Sequence, residues 1–272
     1  FLERVDREDR GVVWSEYLQE TREDTADVVA ALFPEGSIVD PSPTVRLVDF
    51  DPEGEVKMIA SMMYPHSTMS EDQLERRVAG MNHEDRMAVA RAYVGDRRNR
   101  RHKPGRALER PFYRFDVLVD YGAFRDLQRH RMLSMDWQNL SPHHGYISSP
   151  LVNAAGMGPV YEEAMERSAA LYDLLVDDFP DQASYAINLA YKIRFNMNIN
   201  ARSAMHLIEL RTTPQGHPSY REVGQEMHRL IAEEAGHTVI SEMMKFVDHT
   251  DETDLERLQS ERRAQEKRQS TK

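Results

Sequence analysis

The most constraining feature of the sequence is a stretch in which a strand pattern passes directly into a helix pattern. Residues 194–199 alternate polar and apolar side chains, which predicts a short, half-buried strand. Asn200 follows at once, and asparagine favours the N-cap position because its side chain accepts hydrogen bonds from first-turn amides. The helix that follows carries Arg202, His206 and Glu209 at i, i+4 and i+7, so we expect these side chains to share one face.

A second basic group consists of Arg129, His130 and Arg131, with Ser134 three residues on. Successive residues of a helix are rotated by about 100°, so three neighbours suit a helix end or a turn better than one helical face. Taken alone, the group is typical of a helix terminus where cations complement the carbonyl end of the dipole. Together with the basic helix 200–211, it indicates a site for an anion such as phosphate or pyrophosphate.

The composition excludes several classes of function. The chain has 272 residues and 40% hydrophobic content, enough for a substantial core, and its net charge of −11 argues against general nucleic-acid binding. The sequence contains no cysteine, which excludes disulfides and thiolate nucleophiles. No stretch approaches the roughly 20 apolar residues of a membrane span, and the amino terminus is charged, so we expect a cytoplasmic protein. Because the chain starts at Phe1, we expect a processed protein or an excised part of a longer one.

The sequence divides into three predicted parts: an amino-terminal helical arm at 1–43, a main domain at 44–247 and a charged tail at 248–272. The patterns in the main domain predict an α/β (α+β) fold with a mixed or antiparallel sheet and flanking helices. The segment 134–159 is predicted to be irregular, and the basic run 97–103 is interpreted as a solvated loop. Predicted strands cover 45–50, 112–119 and 194–199, and predicted helices cover 1–34, 55–64, 70–81, 83–97, 121–131, 161–175, 183–193, 200–211 and 217–247.

These stretches together resemble the flavin-dependent thymidylate synthases. The family's Arg-His-Arg signature and its following serine are matched at 129–134, and a later family stretch is matched almost without change at 200–211. Glu109 stands upstream at the separation expected for a family glutamate. The resemblance covers roughly 44–247.

The resemblance implies FAD-dependent methylation of dUMP to dTMP, with methylenetetrahydrofolate as the carbon source and NADPH as the electron source. It also implies a homotetramer in which each flavin is held between subunits, without a resident metal and without a thiolate nucleophile. The implied cofactor-binding residues are Glu109, Arg129, His130, Arg131, Ser134, Gln138, Asn200, Arg202, His206, Leu210 and His217. The implied substrate-binding residues are Arg125, Arg129, Ser141, His143 and Arg211, and the implied catalytic residues are Arg211 and Ser141.

The second half of the signature departs from the family pattern. With a two-residue insertion, Gln138 and Ser141 match the pattern, but His143 then stands where the family has an arginine for the nucleotide phosphate. Asp126 replaces a glutamine that ordinarily lies near the nucleotide. A carboxylate beside a phosphate is repulsive unless it is protonated or paired, so Arg125 and His143 are the candidates to offset it.

Three alternatives stay open at this point. The chain could be a degenerate flavin-binding copy without thymidylate synthase activity, such as one half of a tandem protein. It could also methylate another pyrimidine nucleotide, because the altered residues lie where substrate identity would be recognised. Finally, Glu234 and His237 have the Glu-x-x-His spacing of di-iron bundles, but the sequence offers no second such motif, and a partly buried helical histidine is the simpler interpretation.

Overall fold

The computed structural model of the protein describes residues 11–33 and 44–250, together with positions 262, 265, 266 and 269. The chain separates into two compact units, Phe1–Pro41 and Ser42–Lys272. Helix α1 (Val12–Leu32) belongs to the first unit and contains no buried residue.

Only part of the predicted arm and tail can be compared with the structure. The helix predicted at 1–34 is confirmed over the range of α1, whereas its first ten residues and most of the segment 248–272 lie outside the described residues. The three-part division of the chain stays a prediction.

The second unit is built on one antiparallel sheet of four strands in the order β1-β2-β4-β3. The strands are β1 (Val45–Phe50), β2 (Phe112–Asp120), β3 (Ser134–Trp137) and β4 (Lys192–Asn200). The two central strands pair over their full lengths, from Phe112 opposite Asn200 to Asp120 opposite Lys192. The predicted fold class, a mixed or antiparallel sheet with flanking helices, is confirmed.

The alternation in the central strands places one face of the sheet in the core. In β4, Ile193, Phe195, Met197 and Ile199 are buried, while the intervening polar residues are only partly covered. The same alternation in β2 buries Tyr113, Phe115, Val117 and Val119. Side chains of neighbouring strands point to the same face at paired positions, so these residues form one apolar layer under the helices.

The remaining helices surround this sheet or pack beside it. Their bounds are α2 (Gly54–Met63), α3 (Glu71–Ala79), α4 (His83–Val94), α5 (Tyr121–Leu127), α6 (Pro150–Ala154), α7 (Gly158–Leu175), α8 (Pro180–Ala183), α9 (Ala201–Arg211), α10 (Pro218–Glu233) and α11 (Thr238–Met243). Short 3-10 turns cover Tyr64–His66, Arg106–Glu109 and Ser184–Ala186. None of the described helices combines the length and the apolar composition needed to cross a bilayer.

Several predicted elements are wrong in extent or type. The helix predicted at 183–193 is replaced by a 3-10 turn and by the first residues of β4, because pairing with β2 holds Lys192 in an extended conformation. The long helix predicted at 217–247 is interrupted between α10 and α11, where Gly236 adopts a φ of 69° that is unfavourable for residues with a side chain. The segment 134–159, predicted to be irregular, contains β3 and α6.

The two faces of β2 provide a test of this arrangement. Phe115 is fully buried, whereas Phe112 on the opposite face is 50% exposed. We expect Phe115→Ala to lower the free energy of unfolding by about 3–5 kcal/mol, because the lost apolar contacts leave a cavity. Phe112→Ala removes the same side chain and should cost less than half as much in a urea titration; equal losses would contradict the assignment of the buried face.

Candidate anion-binding site at the strand-to-helix junction

A cavity of about 460 Å³ lies where β4 passes into α9. Three segments of the chain contribute to it: the loop that follows α4, the segment after α5, and the end of β4 together with α9. The lining contains seven arginine and lysine residues and, among the described residues, no carboxylate, although the chain as a whole is acidic. Its residues are Arg97, Arg100, Lys103, Pro104, Arg129, His130, Arg131, Met132, Leu133, Ile199, Arg202, Ser203, Met205, His206, Leu210 and Arg211.

The N-cap predicted at Asn200 is confirmed and fixes the start of α9. The Asn200 side chain accepts a hydrogen bond from the Ser203 amide at 2.9 Å, while Ile199 anchors the end of β4 in the core. The helix therefore starts in a defined rotation relative to the sheet. Arg202 and His206 consequently line the cavity.

The expectation that Glu209 shares the face of Arg202 and His206 is wrong. The Glu209 side chain is fully buried and forms a bidentate ion pair with the Arg97 guanidinium, with N···O distances of 2.7 and 2.5 Å. The burial of this carboxylate is tolerated because a partner with matching fork geometry compensates its charge. Glu209 thus connects α9 to the loop after α4 and is absent from the cavity lining.

The Arg129–Arg131 group lies after a helix and not within one. Helix α5 ends at Leu127, so the helix predicted at 121–131 is shorter than expected. The three basic residues lie between this helix and β3, and all three line the cavity. The prediction that they suit a helix end or turn is confirmed, and so is the prediction that the two basic groups come together.

Arg211 connects the two basic groups. Its Nε donates to Nε2 of His130 at 3.0 Å, and its guanidinium also contacts the carboxylate and carbonyl oxygens of Asp126. The ring of Tyr220 lies 5.2 Å from the guanidinium carbon. Arg129 also lies 3.7 Å from the Asp126 carboxylate. The charge of Asp126 is therefore partly balanced by Arg211 and Arg129, rather than by Arg125 or His143 as the sequence suggested.

Glu109 and Arg202 form a second polar connection beside the cavity. Arg202 donates to a Glu109 carboxylate oxygen at 3.2 Å and to the Pro104 carbonyl at 2.9 Å. Arg106 also donates to Glu109, at 3.0 and 3.1 Å. Glu109 therefore orients Arg202 from behind, because its own side chain is not part of the lining.

Other residues predicted for the site lie outside this cavity in the single chain. They are Ser134, which begins β3, and Gln138, Ser141 and His143 in the segment after it, together with Arg125, Asn200 and His217. The Gln138 amide oxygen accepts a hydrogen bond from Nε2 of His144 at 2.9 Å, and Ser141 is buried. His217 is the N-cap of α10 and accepts a hydrogen bond from the Ser219 amide. The structure therefore brings together the Arg129–Arg131 and Arg202–Arg211 groups, but not the Gln138–His143 segment.

The Glu-x-x-His motif does not form a ligand pair. His237 is buried in the turn between α10 and α11, where Nδ1 lies 2.8 Å from the hydroxyl of Tyr113, whereas Glu234 is exposed. Across the described residues, no group of three or more histidine, aspartate or glutamate side chains has metal-binding geometry. The interpretation as a partly buried helical histidine is wrong on both points, because His237 is fully buried and lies between the two helices.

Three basic lining residues were not predicted from the sequence to belong to the site: Arg97, Arg100 and Lys103. They belong to the basic run 97–103, which was interpreted as a solvated loop. Their positive charge is the sequence feature that indicates a binding site, because a cluster of cations in an acidic chain is stabilised by an anion nearby. What the pattern could not show is that Arg97 lines the cavity while its guanidinium is buried against Glu209.

A family model described as thymidylate synthase complementing protein matches residues 46–236, so the chain belongs to this family. The resemblance to flavin-dependent thymidylate synthases that the sequence motifs indicated is thereby confirmed.

The curated relatives are longer than this chain. A UPF0159 protein of Chlamydia pneumoniae is 40% identical over 222 residues, which cover 82% of this chain and 41% of the relative. A UPF0159 protein of Thermoplasma acidophilum is 33% identical over 221 residues, covering 80% of this chain and 44% of the relative. The chain thus spans about two fifths of the length of the curated relatives it matches.

Solved structures share the fold at low identity. Thymidylate Synthase X from Helicobacter pylori, solved with FAD and dUMP, has a TM-score of 0.51 and 17% identity, covering 74% of this chain and 98% of that chain. The UMP/dUMP methylase PolB from Streptomyces cacaoi, bound with 5-Br dUMP, has a TM-score of 0.54 and 18% identity, covering 73% and 94%. At these identities the comparison establishes the common fold.

The buried Arg97–Glu209 ion pair should contribute to the free energy of unfolding. We expect Glu209→Leu to lower the free energy of unfolding by about 3–5 kcal/mol, because it leaves the Arg97 guanidinium buried without a counter-charge. The double variant Arg97→Met with Glu209→Leu removes both charges and should be more stable than Glu209→Leu alone in urea unfolding. A double variant that is less stable than the single one would show that the pair is not the dominant interaction at this position.

The environment of His130 should make the free energy of unfolding depend on pH. Burial, reinforced by the positive charge of Arg211, lowers the pKa of His130 from 6.5 to about 4. Between these values the unfolded chain binds more protons than the folded chain, so His130 makes stability fall as the pH decreases from about 6.5 to 4. We expect His130→Gln to make this fall shallower, as measured by urea unfolding at several pH values. The exposed His102→Gln variant should leave the slope unchanged, and equal slopes for both variants would contradict the prediction.

Proposed function

We propose that this chain catalyses the FAD-dependent methylation of dUMP to dTMP, with methylenetetrahydrofolate and NADPH as co-substrates. The observation that carries the proposal is the cavity at the strand-to-helix junction, where both motif stretches supply cations and no described carboxylate contributes to the lining. Such a cavity suits ligands with phosphate and pyrophosphate groups. Membership of the family and the shared fold with proteins solved with FAD and dUMP support the same reaction.

The residues of the cavity fit a flavin dinucleotide. Arg129, Arg131 and Arg202 offer forked donors for a pyrophosphate, and Glu109 holds the guanidinium of Arg202 in place. Neutral His130 and His206 offer planar surfaces and ring nitrogens, and their rings already lie 5.7 Å apart. When bound, the flavin would supply the hydride for the reaction.

Arg211 is the residue that we propose to act on the pyrimidine. A uracil ring that accepts hydride gains negative charge, and a guanidinium at its carbonyl edge stabilises that charge. His130 and Asp126 hold Arg211 from two sides, so its orientation is set before a ligand binds. Because His130 is uncharged at neutral pH, it accepts the Arg211 N–H without adding to the positive charge.

Assembly of several subunits would account for the residues that lie outside the cavity. Ser141 and His143 are proposed for substrate binding, with Ser141 also catalytic, and Gln138 is proposed for the cofactor, yet none of them lines the cavity of their own chain. We propose a homotetramer in which this segment completes the site of a neighbouring subunit. A cytoplasmic location is part of the same proposal.

A second candidate is methylation of another pyrimidine nucleotide. The specific observation that favours it is Asp126, whose carboxylate lies 3.4 Å from the Arg211 guanidinium. A carboxylate at this position changes which substrate groups the guanidinium can contact. The shared fold with a protein described as a UMP/dUMP methylase makes UMP the first substrate to compare with dUMP.

The visible spectrum of the purified protein tests the proposal directly. The full chain is reconstituted with FAD, then dUMP and UMP are titrated in turn while the flavin absorbance and NADPH oxidation are recorded. We expect bound flavin, a spectral change with one nucleotide, and oxidation that depends on methylenetetrahydrofolate. A protein that FAD cannot reconstitute would refute the proposal, and a flavoprotein indifferent to both nucleotides would instead be a degenerate flavin-binding copy.

The variant Arg211→Lys tests whether the planar guanidinium of Arg211, and not its charge alone, is needed for the reaction. Lysine keeps the positive charge but loses the planar fork, so we expect kcat to fall about a hundredfold while FAD stays bound. The matched control is Arg229→Lys on α10, an arginine that is also paired with carboxylates but is absent from the cavity lining. If both variants kept the parent kcat, Arg211 would not act on the substrate.

A further inference from the structure

The loop that follows α4 contributes to the cavity in an unexpected way. Within the basic run 97–103, Arg97, Arg100 and Lys103 line the cavity, whereas Arg98 and Arg101 do not. The loop therefore presents its cations in two directions. An unstructured solvated loop would not sort its side chains in this way.

Arg97 organises this loop from inside. Its side chain is 3% exposed and donates to the backbone carbonyls of Arg100 at 3.2 Å and His102 at 2.8 Å, in addition to its ion pair with Glu209. The guanidinium also lies 5.2 Å from the centroid of the Phe246 ring. One buried cation thus fixes the backbone of the loop relative to α9.

Arg100 and Lys103 differ from Arg97 because their charges are not compensated. In the part of the chain that the structure describes, no carboxylate lies within ion-pair distance of either side chain. Their positive charges contribute, after burial, to lowering the pKa of the adjacent His206. The field in this part of the cavity therefore disfavours cations and stabilises an anion.

We propose that Arg100 and Lys103 form a phosphate-binding subsite of the cavity and that Arg97 is its positioning residue. The ligand group is a phosphate or pyrophosphate oxyanion, because a guanidinium fork and a flexible ammonium together can donate to several of its oxygens. Two sources could supply it: the pyrophosphate of a flavin dinucleotide or the monophosphate of a pyrimidine nucleotide. The inference rests on the proposed function for the source of the phosphate, but the subsite itself is defined by the chain.

Calorimetric titration of the full chain tests the subsite. The double variant Arg100→Ala with Lys103→Ala is compared with the double variant Arg98→Ala with Arg101→Ala. The second variant removes the same number of positive charges from the same loop, but from residues that do not line the cavity. The probes are inorganic pyrophosphate, FAD, FMN and dUMP. We expect the first variant to weaken pyrophosphate binding about tenfold or more and the second to weaken it less than about twofold.

The other probes identify the source of the phosphate. Weaker binding of FAD with little change for dUMP assigns the subsite to the dinucleotide, and the reverse result assigns it to the pyrimidine nucleotide; both support the subsite. If the dinucleotide is the source, binding of FMN, which lacks the pyrophosphate, should depend on the two residues less than binding of FAD does. Equal effects of the two double variants on every probe would overturn the proposal.

The same titrations separate this inference from the proposed function. If the parent chain binds pyrophosphate through Arg100 and Lys103 but binds neither FAD nor dUMP, the proposed function fails and the subsite stands. If FAD and dUMP bind normally and are unaffected by the loss of both residues, the subsite fails and the proposed function stands. If the parent binds none of the four probes, both fail.

Arg97→Lys tests the positioning role. Lysine keeps a cation beside Glu209 but loses the fork that holds the two loop carbonyls, so pyrophosphate binding should weaken as it does without Arg100 and Lys103. Adding Arg97→Lys to the double variant Arg100→Ala with Lys103→Ala should weaken pyrophosphate binding little further, because all three substitutions act through the same subsite. Full additivity, with an unchanged thermal midpoint for Arg97→Lys, would show that Arg97 does not act through the two cavity residues.

Discussion

Strand β4 is hydrogen-bonded along both edges, to β2 and to β3, and passes into α9 without a loop. Ile199 is buried at the end of the strand, and the Asn200 side chain caps the first turn of the helix. The direction and the rotation of α9 are therefore both set by the sheet. Because Arg202, His206 and Arg211 project from this helix, their positions depend on the backbone pairing of β4.

The cavity concentrates positive charge in a chain whose net charge is −11. Only part of this charge is balanced internally: Glu209 compensates Arg97 in the core, Asp126 contacts Arg211 and Arg129, and Glu109 contacts Arg202. The remaining cations repel one another, which raises the free energy of the chain without a ligand and favours the binding of an anion. Electrostatic repulsion therefore opposes the convergence of these basic segments, which the packing of the fold imposes and a bound anion would offset.

Local signals in the sequence were sufficient for several elements. The structure contains the elements predicted from the alternation at 194–199, the capping chemistry of Asn200 and the apolar spacing of 161–175. Each of these signals involves only residues that are close together in the sequence, so each can be recognised without knowing the tertiary structure. The prediction failed at 183–193, where pairing with β2 overrode the helical pattern. It also failed at Glu209, because the partner that makes its burial possible is 112 residues away in the sequence.

The order of polar and apolar residues was enough to predict the fold class, the cap of α9 and the two basic groups, since these follow from periodicity and side-chain chemistry. Long-range packing determined which basic residue of the loop is buried. Arg97 is buried because Glu209 lies on the adjacent helix, whereas Arg100 lines the cavity without being buried. The separation of Gln138–His143 from the cavity was settled in the same way, by the pairing of β3 with β4. Local sequence carries no information about such contacts, because they join residues that come together only when the sheet has formed.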